Sequence, residues 1–109
     1  MTRFHQTLAS GGWQKLSLVE QLANVGSEIS RSAHWETKDQ DHCRQAFDRA
    51  LELLDMTIGD DRWRGRLKEL TRLRELLIDA FLGGETYGSR LADFSQYFFD
   101  FALAARCNK

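Results

Sequence analysis

Three groups of side chains in this 109-residue chain have the types and spacing to do chemistry. The first is Arg62, Trp63, Arg64 and Arg66 within DDRWRGRLKELTRLRE, Asp60 to Glu75, where Lys68, Arg72 and Arg74 carry the positive charge beyond what Asp60, Asp61, Glu69 and Glu75 offset. Guanidinium groups beside an indole can hold phosphates and stack a base, which is the physical content of nucleic-acid binding. The preferred reading is charge complementarity. Glu69 with Arg72 and Arg72 with Glu75 have intrahelical pairing spacing, and Asp48, Glu52 and Asp55 offer an acidic stripe on a neighbouring helix.

The second group is Glu52-x-x-Asp55, with Asp48 one turn earlier, whose carboxylates suit a hard divalent cation such as magnesium. Glu20 and Glu28 do not supply a partner Glu-x-x-Glu, so this is half of a site. No Glu-x-x-His pair occurs for a di-iron centre. His34 and His42 flank a polar linker, His5 lies near the start, and Cys43 and Cys107 form no zinc spacing. No catalytic constellation, metal or cofactor is expected.

The third group is NVGSEISR, Asn24 to Arg31. Gly26 costs about 1 kcal/mol against alanine in an exposed helix interior, a penalty that a close helix contact offsets. With Ala23 and Ser30 on the same side, another helix can approach closely, inside the monomer or across subunits. Asn24, Ser27, Glu28 and Arg31 then form a polar patch beside that contact, an interface or ligand patch, against the plainer reading of a solvated face with a Glu28/Arg31 pair.

Helices must position these groups. SLVE, Ser17 to Glu20, has capping-box spacing, and Leu18, Leu22, Val25 and Ile29 place one apolar face on a first helix ending near Trp35. A second runs from about Asp41, with Cys43, Phe47, Ala50, Leu51, Leu54 and Ile58 inward, to a stop at Gly59. Asp60 or Asp61 caps a third, with Trp63, Leu67, Leu70, Leu73, Leu77 and Phe81 inward and Gly83-Gly84 at its end. Ser89 caps a fourth, with Leu91, Phe94, Phe98, Phe101, Ala102 and Ala105 as its buried stripe. The prediction is an all-α, mostly antiparallel four-helix bundle over residues 13–109, preceded by a mobile segment, 1–12.

Composition narrows the function. A formal net charge of -1, from 15 basic and 16 acidic side chains, gives no whole-molecule attraction to nucleic acid or a membrane surface. No apolar run approaches the roughly 18 residues of a membrane span, and MTRFHQTLASGG lacks the apolar core of a signal peptide, so a cytoplasmic protein is expected. Trp13, Trp35 and Trp63 sit near helix ends and close the bundle. Tyr97 and Phe99 depart from the helix-four stripe, and surplus aromatics of this kind mark an oligomer surface.

Two blocks, LSLVEQLANVGSEISR (Leu16 to Arg31) and RALELLDMTIGDDRWRGRLKELTRLRE (Arg49 to Glu75), resemble a family of small all-helical prokaryotic proteins with no established activity. The resemblance implies a helical fold and transfers no catalytic residue. In architecture alone the chain is similar to the ring-forming, nucleic-acid-binding accessory protein of diversity-generating retroelements. Glu52-x-x-Asp55 resembles half of the magnesium motif of all-helical nucleotide pyrophosphohydrolases, whereas Arg31-x-x-His34 is shorter than the Arg-to-His spacing of HEPN ribonucleases. The leading expectation is a noncatalytic homo-oligomer acting through protein–protein contacts. A nucleic-acid-binding accessory protein is the first alternative and a magnesium-dependent pyrophosphohydrolase the second.

Overall fold

The computed structural model describes residues 12–107, and beyond residue 100 it describes the backbone and, among side chains, that of Leu103. Four α-helices form a mostly antiparallel bundle: α1 (Leu18–Trp35), α2 (Gln40–Ile58), α3 (Leu67–Phe81) and α4 (Ser95–Cys107). Short 3-10 segments, Trp13–Lys15, Asp61–Arg66 and Leu91–Phe94, precede α1, α3 and α4. The described residues contain no strand. The expected mobile segment falls outside the described residues except for Gly12, as do the side chains of Phe101, Ala102 and Ala105.

The capping box of α1 forms as its spacing requires. Ser17 Oγ accepts from the Glu20 N–H at 3.1 Å, and Glu20 Oε1 accepts from the Ser17 N–H at 3.0 Å. Together they satisfy two of the amides that a helix start leaves unpaired. Residues 36–39 then reverse the chain, and Asp39 caps α2 by accepting from the Asp41 and His42 N–H groups. Trp35 stacks on His42 at 4.7 Å between ring centroids, closing this end of the bundle.

The core runs along α1, which packs against α2 on one side and α4 on the other. Leu22, Val25 and Ile29 meet Phe47, Ala50 and Leu54 there. α3 lies on α2, with Leu70, Leu73 and Leu77 buried and Phe81 stacked on Phe47 at 4.2 Å.

Two helix starts differ from expectation. Asp60 does cap, accepting from the Arg62 N–H at 3.0 Å, but the capped residues form a 3-10 segment bent at Trp63 (φ −106°, ψ 22°), and α3 begins only at Leu67. Leu67 is consequently exposed rather than buried, and Trp63 is half-buried. At the fourth helix the cap is not Ser89. Asp93 reaches back to accept from the Arg90 N–H at 2.7 Å, so the chain enters a 3-10 turn at Leu91 before α4.

Candidate functional site

The first site is the crossing of α1 and α4. Gly26 is buried, and a Cβ built on it would lie 2.2 Å from Phe98 Cβ and 2.6 Å from Phe98 Cγ. No side chain fits in that space, so the glycine lets α4 approach α1 through Phe98. The close contact expected at Gly26 is therefore within one chain. Beside it opens a groove of about 600 Å³, walled by Ala23, Ser27 and Ser30 on α1 and by Ser95, Gln96 and Phe99 on α4.

The polar residues around Gly26 do not converge on one point. Ser27 lines the groove and donates to the Ala23 carbonyl at 3.2 Å. Asn24 turns its amide to the Glu20 carbonyl at 2.9 Å. Glu28 faces the other way, toward α2, where one carboxylate oxygen accepts from Arg49 at 3.2 Å and the other from Arg31 at 3.1 Å. The expected Glu28/Arg31 pair thus forms, extended by Arg49 into a link between two helices.

Tyr97 and Phe99 lie on different flanks of α4. Phe99 borders the α1 groove, whereas Tyr97 faces α3. Phe99 is 55 % exposed and Leu103, one turn on, is 41 % exposed. Spacing by four places them on one face, so α4 carries an apolar ridge that begins with Phe99 at the edge of the groove. Leu103 is not among the residues expected at an interface, although its spacing from Phe99 is visible in the sequence.

The basic segment divides. Arg62 forks onto Asp60, with Nη2 to Oδ2 at 2.7 Å and Nε to Oδ1 at 3.1 Å, and its Nη2 also donates to the Leu16 carbonyl at 2.8 Å. Its guanidinium covers the Trp63 ring at 4.5 Å. Trp63 Nε1 donates to Gln21 Oε1 at 3.0 Å. Gln21, fully buried on α1, donates in turn to the Trp13 carbonyl at 2.9 Å and to Asp60 at 3.3 Å. Arg62 and Trp63 thus belong to an internal polar network that fastens the segment before α1 to the start of the third helical unit. Arg64 and Arg66 point outward, paired with Asp61 at 3.4 Å and Glu69 at 2.7 Å.

The expected pairing of Glu69 with Arg72 is replaced by this bond to Arg66, which lies three residues earlier at the head of α3. Arg72 instead lies over the Tyr87 ring at 5.5 Å. Complementarity between helices does appear: Arg74 Nε donates to Asp55 at 2.7 Å. That bond occupies one carboxylate of the acidic half-motif. No three His, Cys, Asp or Glu side chains gather for a metal among the described residues.

The network has a titration signature. The Arg62 guanidinium, opposed by partial burial, holds the Asp60 carboxyl down at about 2. In the unfolded chain an aspartate titrates near ~3.9, so the folded pKa is the depressed one. The stability that Asp60 contributes is whole above about pH 4 and is lost as pH falls toward about 2. Urea midpoints of the unsubstituted chain and of Asp60→Asn are expected to differ at neutral pH and to converge across that window. A difference independent of pH would remove the ionised carboxylate from the account.

No family model, curated protein or solved structure matches the chain. The molecule is an all-α bundle, and the open features among its described residues include the groove at α1–α4 and a cleft beside Tyr97. No described helix is long and apolar enough to cross a membrane.

Proposed function

We propose that this chain is a noncatalytic helical module that works by self-association, two copies joining across the α1–α4 face. The observation that carries the reading is the placement of Phe99, exposed at the edge of a groove walled by Ala23, Ser27 and Ser30, with Leu103 exposed one turn further along α4. A ridge beside a groove of small residues is self-complementary under a two-fold axis, because each copy offers the other both halves of the contact. Exposed aromatic side chains next to a concave surface are the usual anchors of such interfaces. The nucleic-acid alternative retains Arg64 and Arg66, since Arg62 and Trp63 engage polar groups of this chain.

Burial of one Phe99 side chain is worth about 2 kcal/mol, and symmetry removes two of them with one substitution, so Phe99→Ser is expected to weaken the dimer by roughly a thousandfold. Sedimentation over a concentration series reads this directly. The unsubstituted chain should shift from monomer to dimer as concentration rises, while Phe99→Ser stays monomeric and Tyr97→Ser behaves like the unsubstituted chain. A monomer at the highest attainable concentration rejects the proposal.

A further inference from the structure

The second open feature lies on the other flank of α4, where a cleft of about 560 Å³ separates it from α3. Its floor is apolar, made by Leu73 and Leu76 of α3 and Phe94 of the turn before α4. Its size is that of a small-molecule site, and the apolar floor under a charged rim is the usual composition of one.

The rim is electrically uneven. Of its two carboxylates, Glu69 is bound to Arg66 at 2.7 Å, and Asp93 accepts the Arg90 backbone N–H at 2.7 Å. Lys68 and Arg72, one turn apart on α3 and both exposed, have no carboxylate partner among the described residues. Arg66, outside the cleft, takes up Glu69, and Asp93 is engaged by a backbone N–H, so Lys68 and Arg72 are the rim charges without an ion-pair partner among the described residues. Burial, with Glu69 second, raises the pKa of Tyr97 at the same rim, so its phenol stays neutral and adds no negative charge.

We propose that this cleft binds a small hydrophobic monocarboxylate, its apolar body on Leu73, Leu76 and Phe94 and its carboxylate received by Lys68 and Arg72. The two cations stand side by side on one helix face, as a carboxylate requires, and a guanidinium matches its two oxygens. Glu69 and Asp93 on the same rim disfavour a ligand of higher negative charge than a monoanion. The site is separate from the α1–α4 face and stands whether or not the chain dimerises.

The test is an NMR titration of the full chain with 2-naphthoate, with 2-naphthalenemethanol as a neutral ligand of the same shape, and with inorganic phosphate at matched ionic strength. Saturable shifts are expected at Leu73, Leu76 and Tyr97 with 2-naphthoate, with the alcohol about tenfold weaker because it forgoes a charge-assisted hydrogen bond. The double substitution Lys68→Gln with Arg72→Gln should bring the two naphthalenes to equal affinity. Naphthoate that fails to saturate overturns the proposal. So does an alcohol that binds as tightly as the acid, an affinity for the acid that survives the double substitution, or phosphate that produces the same shifts.

Discussion

Gly26→Ala is expected to lower the melting temperature by roughly 10 °C or more, the change being worth about 3 kcal/mol in a domain of this size. On an open helix surface the same substitution would stabilise, since alanine is about 1 kcal/mol the better helix former. The sign is decided by Phe98. The new methyl would lie 2.2 Å from Phe98 Cβ, an atom one bond from the α4 backbone, so no rotamer change of the ring relieves the overlap and the helix itself must move. Thermal unfolding by circular dichroism gives the measurement. Phe98→Ala alone should also destabilise, by leaving a cavity against α1. It keeps the Cβ but removes the Cγ that lies 2.6 Å from the new methyl, so part of the overlap disappears with the ring. The two substitutions combined should therefore cost less than the sum of the singles, as expected for residues in contact. A melting temperature raised by Gly26→Ala would reject the close crossing.

This glycine was legible in the sequence for a physical reason. A helix otherwise built from good formers tolerates a glycine at its centre only where something replaces the lost stability. The sequence left open whether the approaching helix belonged to the same chain, because small-residue spacing looks alike in both cases. Local signals were likewise sound where they were self-contained, as in the Ser17/Glu20 capping box, whose donors and acceptors lie within four residues. The Arg74–Asp55 bond was anticipated in kind, since opposed charge stripes on adjacent helices attract wherever their register falls.

The starts of the third and fourth helices were less legible because the deciding partner is either distant or of a different type. Asp60 reads as an N-cap, and it is one. The chain beyond it bends at Trp63, whose indole reaches Gln21, 42 positions earlier. Arg62 reads as a phosphate ligand because its spacing from Asp60 does not reveal the fork onto that carboxylate, and its other acceptor, the Leu16 carbonyl, lies 46 positions away. Ser89 carries the usual capping side chain, yet Asp93 supplies the acceptor from inside the turn. Gln21 was missed although a signal existed. Its spacing from Leu18 and Val25 puts it on the apolar stripe of α1, and a polar residue on such a stripe requires an internal partner.

Gln21→Leu is the substitution that tests this network most directly, and it is expected to destabilise by about 3 kcal/mol even though leucine is the better match to the core around it. The side chain is fully buried and holds three partners: the Trp13 carbonyl at 2.9 Å, Trp63 Nε1 at 3.0 Å and Asp60 at 3.3 Å. Leucine fills most of the space but leaves the half-buried indole N–H and the Trp13 carbonyl without those bonds, and an unmade bond at a buried group costs about 1–3 kcal/mol. Trp63→Phe added to Gln21→Leu removes one of the orphaned donors, so the double variant should be less destabilised than the sum of the two singles. Chemical denaturation of the four chains closes the cycle, and indole fluorescence reports whether Trp13 and Trp63 become wetter. Additive effects would mean that Trp63 and Gln21 are neighbours without an energetic bond. A neutral Gln21→Leu would mean that the segment before α1 is held by the apolar packing of Trp13 and the Arg62–Leu16 bond, with the Gln21 contacts contributing register but no stability.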